Sequence, residues 1–171
     1  SFLITKPFEE KANAFSEELD FLKYLGSKVI GVSEQSYSIQ GKQQPIFEGK
    51  HVMDDREWEL LCTGLDKLGQ IAKDKGMKLT FHHHMGTVVQ NEDEIDRMMG
   101  HTDPALMNLL FDSGHLSFAG IDPVKVLKKY VKRVGHVHLK DLRADVVAAA
   151  KAERLSFLDG VRRGTFTVPG D

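Results

Sequence analysis

The sequence is poor in several things, and each shortage narrows what the chain can be. Cysteine occurs once among 171 residues, as Cys62, so no intramolecular disulfide can form; that usage suits a reducing compartment, and we expect a cytoplasmic protein. No apolar run approaches the roughly 18 to 20 residues that span a bilayer, and no stretch resembles a signal peptide, so neither membrane insertion nor secretion is expected. An excess of one charge is also missing. Lys and Arg number 23 against 25 Asp and Glu, a net charge of −2, and the basic residues cluster only briefly, between Lys128 and Arg133. Phosphate contacts dominate nucleic-acid affinity, so a nucleic-acid partner is not expected. What remains, 41% hydrophobic and 28% charged residues, is the composition of a soluble globular domain, and residues 1–171 are read as a single domain.

Short β-rich apolar runs alternate with longer segments of helical spacing, the pattern of βα units around a parallel sheet. Five units are expected. Phe2 to Thr5 reads as a strand before a helix from about Ala12 to Leu25, stopped by Gly26. Lys28 to Val32 is a strand buried on both faces, followed by a long Gln-, Ser- and Gly-rich connection from Gln35 to Gly49. Asp54 and Asp55 cap a helix whose inward stripe holds Trp58, Leu61, Leu65, Leu68 and Ile71-Ala72. Lys78 to Phe81 is the third strand, and Asn91 caps the helix from Glu92 to about Met99. Met107 to Phe111 is the fourth, followed by Asp122-Pro123 as cap and first helical residue. Val134 to Leu139 is the fifth, followed by a helix from about Arg143 to Leu158 and a Gly-rich coil through Gly170.

In parallel α/β architectures, ligands meet the carboxyl ends of the strands. Here those ends carry Glu34, the run His82-His83-His84, Asp112 with His115, and His138 with Asp141. His, Asp and Glu gathered from different strands suit a borderline divalent cation such as zinc, manganese or cobalt. Strand alternation puts His82 and His84 on one side with His83 on the other, and joins His136 with His138. Each residue also has a plainer reading. Glu34 can form a salt bridge, Asp112 can close an Asx turn at its strand end, His138 can be a satisfied core histidine, and Lys140 can be solvated or touch phosphate. Asp141 is expected to orient a neighbouring histidine. Cys62, on a helix pattern, is read as core.

At Phe111-Asp112-Ser113-Gly114-His115 and at Gly135-His136-Val137-His138-Leu139-Lys140-Asp141, the chain resembles the xylose isomerase-like barrel superfamily. Within it the chain is similar to the inosose dehydratases, through Val32 to Ser36, His82 to Thr87, and Gly164-Thr165-Phe166 running to Asp171. The resemblance implies an α/β fold of TIM-barrel type. An eight-unit barrel needs about 250 residues, so we expect an incomplete barrel of about five βα units, the central to C-terminal part of a (β/α)8 barrel. Open sheet edges are then expected to pair with another copy, as a homo-oligomer, or with further segments.

The superfamily holds its metal with a Glu, an Asp, a His and a second Glu. Asp112 matches the Asp and His138 the His. At the first Glu position this chain carries histidines, with His82 best placed and His84 the same-face alternative, and the last Glu is expected beyond Asp171. The resemblance further implies a metal-dependent lyase that dehydrates 2-keto-myo-inositol, uses manganese or cobalt, and belongs to a family associated with glutathione. His84, Glu34, His115 and Lys140 are the candidates for proton handling, with base and acid unassigned. The alternatives are a ketose isomerase or epimerase working through an enediolate, a phosphodiesterase on abasic DNA, and a non-catalytic remnant.

Overall fold

The computed structural model describes residues 3–171. Phe2 of the expected first strand lies outside the described residues, and Leu3 to Thr5 run as coil and turn, not strand. Their backbone is claimed elsewhere: the Ile4 amide donates to the Glu34 carboxylate at 3.1 Å.

The helices begin and end where capping chemistry puts them. Helix α1 (Phe8–Tyr24) follows Pro7 and buries Phe15 and Leu19; Gly26, at φ +84°, turns the chain out of it. Helix α2 (Asp55–Asp74) opens with a capping box in which Asp54 and Glu57 exchange side-chain and backbone hydrogen bonds, and it buries Trp58, Leu61, Leu65, Leu68 and Ala72. Cys62 lies within that buried face, where desolvation pushes its thiol up to about 11. Helix α3 (Glu92–Gly100) uses Asn91 and Glu94 in the same way. Asp112 is followed by a short helix that was not expected, α4 (Ser113–Phe118), and α5 (Pro123–Tyr130) starts from Asp122 as read from the sequence.

Strands β1 (Val29–Val32), β2 (Lys78–His82), β3 (Met107–Asp112) and β4 (Val134–His138) form one parallel sheet in the order β1-β2-β3-β4. The described residues thus place four strands, not five, in an incomplete barrel. Ile30, Val32, Leu79, Phe81, Leu109 and Phe111 face the helices and form the main core. Gly31, Leu110, His82, His136 and His138 line a cavity of about 510 Å³ on the other face.

The expected helix from Arg143 to Leu158 is two. Helix α6 (Ala144–Ala152) and α7 (Phe157–Arg162) are separated at Arg154, which takes φ +55°, and Ser156 caps the second. The expected Gly-rich coil contains β6 (Phe166–Thr167), paired antiparallel with β5 (Asp141–Leu142).

One irregularity in the sheet decides which face the β4 histidines occupy. Leu109 pairs with Val134 but Leu110 pairs with His136, so Gly135 is an extra residue in a bulge. Val134 packs against the core, whereas His136 and His138, of the same parity, line the cavity; an unbroken strand would put all three on one face. Gly135 also has no room for a side chain, because a Cβ would lie 2.6 Å from Thr80 Cγ2 and 2.9 Å from Asn108 Cβ. Gly135→Ala is expected to cost about 1–3 kcal/mol through this overpacking, read as a lower urea midpoint at unchanged slope; an unchanged midpoint contradicts it.

Candidate metal centre

The ends of β2, β3 and β4 converge on one carboxylate. Asp112 is fully buried at the last position of β3. Its Oδ1 accepts the His115 amide at 2.9 Å and so caps α4. Its Oδ2 accepts His82 Nε2 at 2.9 Å, lies 3.4 Å from His138 Nδ1, and is ion-paired with the Lys140 ammonium. The turn-capping reading of Asp112 is therefore realised on Oδ1, while Oδ2 faces His82, His138 and Lys140. Burial alone would raise this carboxyl, but hydrogen bonds from His82, Lys140 and the His115 amide outweigh it and hold Asp112 well below the usual carboxylate range.

Three features place the partners. Pairing of Asp112 with His138 across β3 and β4 fixes the imidazole beside the carboxylate. Burial, reinforced by the neighbouring His82 and Lys140, lowers His138 and so favours its neutral form. Lys140 is held through its backbone: Ser113 Oγ donates to the Lys140 carbonyl at 2.7 Å and accepts its amide at 3.0 Å. Between them, Gly114 allows close approach, since a Cβ there would stand 2.7 Å from Lys140 Cβ and 3.1 Å from Phe166 Cδ1. Sequence reasoning read only the Asp and the His of Asp-Ser-Gly-His; the Ser and Gly position Lys140.

His84 and His115 complete the cluster. The His84 ring stands 3.7 Å from that of His82, its Nδ1 is buried without a partner among the described residues, and burial followed by the neighbouring imidazoles pushes it down to about 2. His115 accepts the Met85 amide on Nδ1 at 3.2 Å, and burial pushes it down to about 3. His83 takes the opposite face, as alternation requires; it is fully buried with both ring nitrogens unpartnered among the described residues, and desolvation pushes it down to about 3.

Two residues stand apart. Asp141 does not orient a histidine: its carboxylate accepts the amides of Leu142 and Gly170, at 2.9 and 3.3 Å, and steadies the β5–β6 hairpin. Glu34 is buried, but its carboxylate accepts the amides of Ile4 and Ser36 and the Ser36 hydroxyl, not any of the histidines. Glu34→Ala, which strands two amides, is expected to cost about 1–3 kcal/mol of stability with metal affinity unchanged within about threefold. Denaturation and metal titration of the same sample check this, and a selective loss of metal binding would reverse it.

The residues present fit a divalent cation. One nitrogen from each of His82 and His138 and an oxygen of Asp112 lie within 4.8 Å of one another, and so do ligand atoms of His82, His84 and His115. A charged carboxylate with neutral imidazoles is the donor chemistry of zinc, manganese or cobalt, and the orphaned His84 Nδ1 adds an unsatisfied donor at its border. No described helix is long and apolar enough to cross a membrane.

Comparison with known proteins extends this geometry. The chain is 60% identical over 172 residues to the inosose dehydratase of Clostridium perfringens, an alignment covering all of this chain and 58% of that protein. This chain therefore spans well under two thirds of the length of the curated relatives it matches. Among solved structures, the probable 3-DHS dehydratase AsbF of Bacillus anthracis, involved in petrobactin synthesis, superposes with a TM-score of 0.65 at 14% identity, over 85% of this chain and 49% of that one. The IolI protein, solved with a bound zinc atom, gives 0.59 at 18% identity, over 77% and 44%. These two likenesses speak for the fold alone. The family model for xylose isomerase-like TIM barrels matches residues 5–165, nearly the whole of the parallel sheet and helices described above, and the chain belongs to that family.

Proposed function

We propose that this chain carries the metal-binding and proton-handling part of a hydro-lyase that dehydrates a cyclic polyhydroxy ketone, 2-keto-myo-inositol. The observation that carries the reading is the buried Asp112 carboxylate, approached on one oxygen by His82, His138 and Lys140; the identity to inosose dehydratases supplies the substrate.

The reaction takes a weakly acidic proton from the carbon next to the ketone and expels hydroxide from the carbon beyond. A divalent ion, manganese or cobalt first among those to try, supplies Lewis acidity toward the ketone and its neighbouring hydroxyl when bound. His82, Asp112 and His138 would hold it. Lys140, pinned by Ser113, brings a positive charge to the same carboxylate and meets negative charge developing on the substrate. Burial lowers His84 and favours the neutral form, the state a proton acceptor requires. The cavity beside His82 and His138, at about 510 Å³, admits a six-membered ring with its hydroxyls.

The test uses protein expressed with whatever sequence flanks it in its gene, loaded with manganese or cobalt, with and without glutathione. Metal-dependent ultraviolet absorbance of the dione formed from 2-keto-myo-inositol is expected. No product at any metal concentration overturns the reading, and deuterium entering ketoses without loss of water assigns the site to an isomerase or epimerase instead.

A further inference from the structure

The stretch Val32 to Ser36 contributes no metal ligand, yet two of its side chains meet on the cavity side of the sheet. We infer that Ser33, held by Gln35, is a specificity contact for the polyol: its O–H donates to one ring hydroxyl of the substrate beside the metal position. The identity of the polyol rests on the dehydratase reading; the direction in which the hydroxyl donates does not.

Strand alternation places the serine. Ile30 packs into the core against the helices, so Val29, Gly31 and Ser33 turn to the other face, where all three line the cavity with His82 and His138. The parallel register then brings Ser33 to the metal position. Val32 pairs with Phe81, so the next residues of the two chains, Ser33 and His82, stand side by side at the mouth, about 4.8 Å apart as neighbouring strands are. Glu34 turns the other way and its carboxylate accepts the amides of Ile4 and Ser36. That anchor fixes the backbone on which Ser33 and Gln35 are carried.

Hydrogen bonding sets the polarity. Gln35 Nε2 donates to Ser33 Oγ at 3.0 Å, the one side-chain bond of that oxygen among the described residues. An amide nitrogen has no lone pair to offer, so the single proton of Ser33 is directed elsewhere. Ser33 is half-buried and open to the cavity. Donation by Gln35 also polarises the hydroxyl and strengthens its own donation. A polyol hydroxyl is the complement, since it accepts from Ser33 and keeps its own proton to give. Deeper in the cavity, Val29, Gly31 and Leu110 offer no hydrogen bond from their side chains, which leaves Ser33 as the polar side chain that the end of β1 presents. A site built to bond a hydroxyl discriminates against the analogue lacking it. No covalent bond forms or breaks in this role.

Calorimetric binding of myo-inositol, a polyol without the ketone, and of its mono-deoxy analogues to the zinc-loaded protein, expressed with its flanking sequence, tests this. The parent is expected to disfavour one deoxy position about 10-fold. In Ser33→Ala, myo-inositol is expected to bind about 10-fold more weakly and no better than that analogue, with zinc affinity within about threefold of the parent and the urea midpoint unchanged. Ser33→Thr, which keeps the O–H, is expected to restore the discrimination. Gln35→Glu puts an acceptor where the donor was and takes up the Ser33 proton, so the discrimination is expected to disappear with the serine still in place. Parent-like discrimination in both Ser33→Ala and Gln35→Glu overturns the inference, and so does a zinc-loaded parent that binds no myo-inositol. If the dehydratase reading holds as well, Ser33→Ala raises KM about 10-fold with kcat little changed. An unchanged KM overturns the role of Ser33 and leaves that reading intact, whereas a parent that forms no product defeats that reading while the binding measurements still decide the role of Ser33.

Discussion

Asp112→Asn is expected to weaken divalent-metal binding about 100-fold or more while leaving the chain folded. Asparagine caps a helix as well as aspartate does, so its Oδ1 can keep the His115 amide and α4 should start where it does now. What disappears is the negative charge that binds Lys140 and faces His82 and His138. Metal affinity depends on a deprotonated anionic ligand, and loss of even an orienting partner costs 10- to 100-fold. Asp112→Ala, by contrast, removes the cap as well, at about 1 kcal/mol, and so mixes folding with binding. Competition with a chromophoric chelator, beside circular dichroism of the same samples, distinguishes the two variants. An Asn variant that binds zinc as the parent does would remove Asp112 from the metal site.

The second large effect is acid lability of the metal-free protein. Burial holds His83, His84 and His115 neutral, at about 3, 2 and 3, against 6.5 for a solvated imidazole. Their folded-state values are depressed, so below the unfolded value the unfolded chain binds more protons than the folded one, and stability falls as pH falls. The loss begins near pH 6.5 and continues down towards pH 3, where the folded imidazoles themselves take up protons; above pH 6.5 these groups make no pH-dependent contribution. Asp112 adds a further loss that begins where an unfolded aspartate takes up its proton and continues below that range, because its own folded value is lowered. Unfolding near pH 5 is expected to take up about three protons. Melting temperature against pH, measured in chelator, checks it, and a flat profile between pH 4.5 and 6.5 contradicts the burial of these rings.

The strands were legible because a parallel sheet demands it. Val29 to Val32 and, apart from Asn108, Met107 to Phe111 are apolar on both faces. The helices with side-chain caps at Asp54, Asn91 and Asp122 were legible for a local reason, since the cap and the first turn are neighbours in sequence. Alternation put His82 and His84 together and His83 apart, as the ring contacts show. What escaped was set by contacts between distant residues. Glu34 is two residues from Ser36, but it meets Ile4 only after the chain turns back on itself. The two-residue strands β5 and β6 are too short to show a period, and the break at Arg154 depends on a left-handed backbone that arginine rarely adopts. The opening strand failed because apolar character alone cannot supply a neighbour to pair with.

The supernumerary glycine in β4 works as a phase adjuster. Ahead of it the strand answers to the helices through Val134, and past it to the cavity through His136 and His138. Because the surplus residue is absorbed at that one spot, a chain shorter by Gly135 alone would pair Val134 and His136 with the same partners, Leu109 and Leu110. Residue number in this strand is thus uncoupled from which imidazoles line the cavity, and related sequences aligned with a gap there would still be compared histidine for histidine.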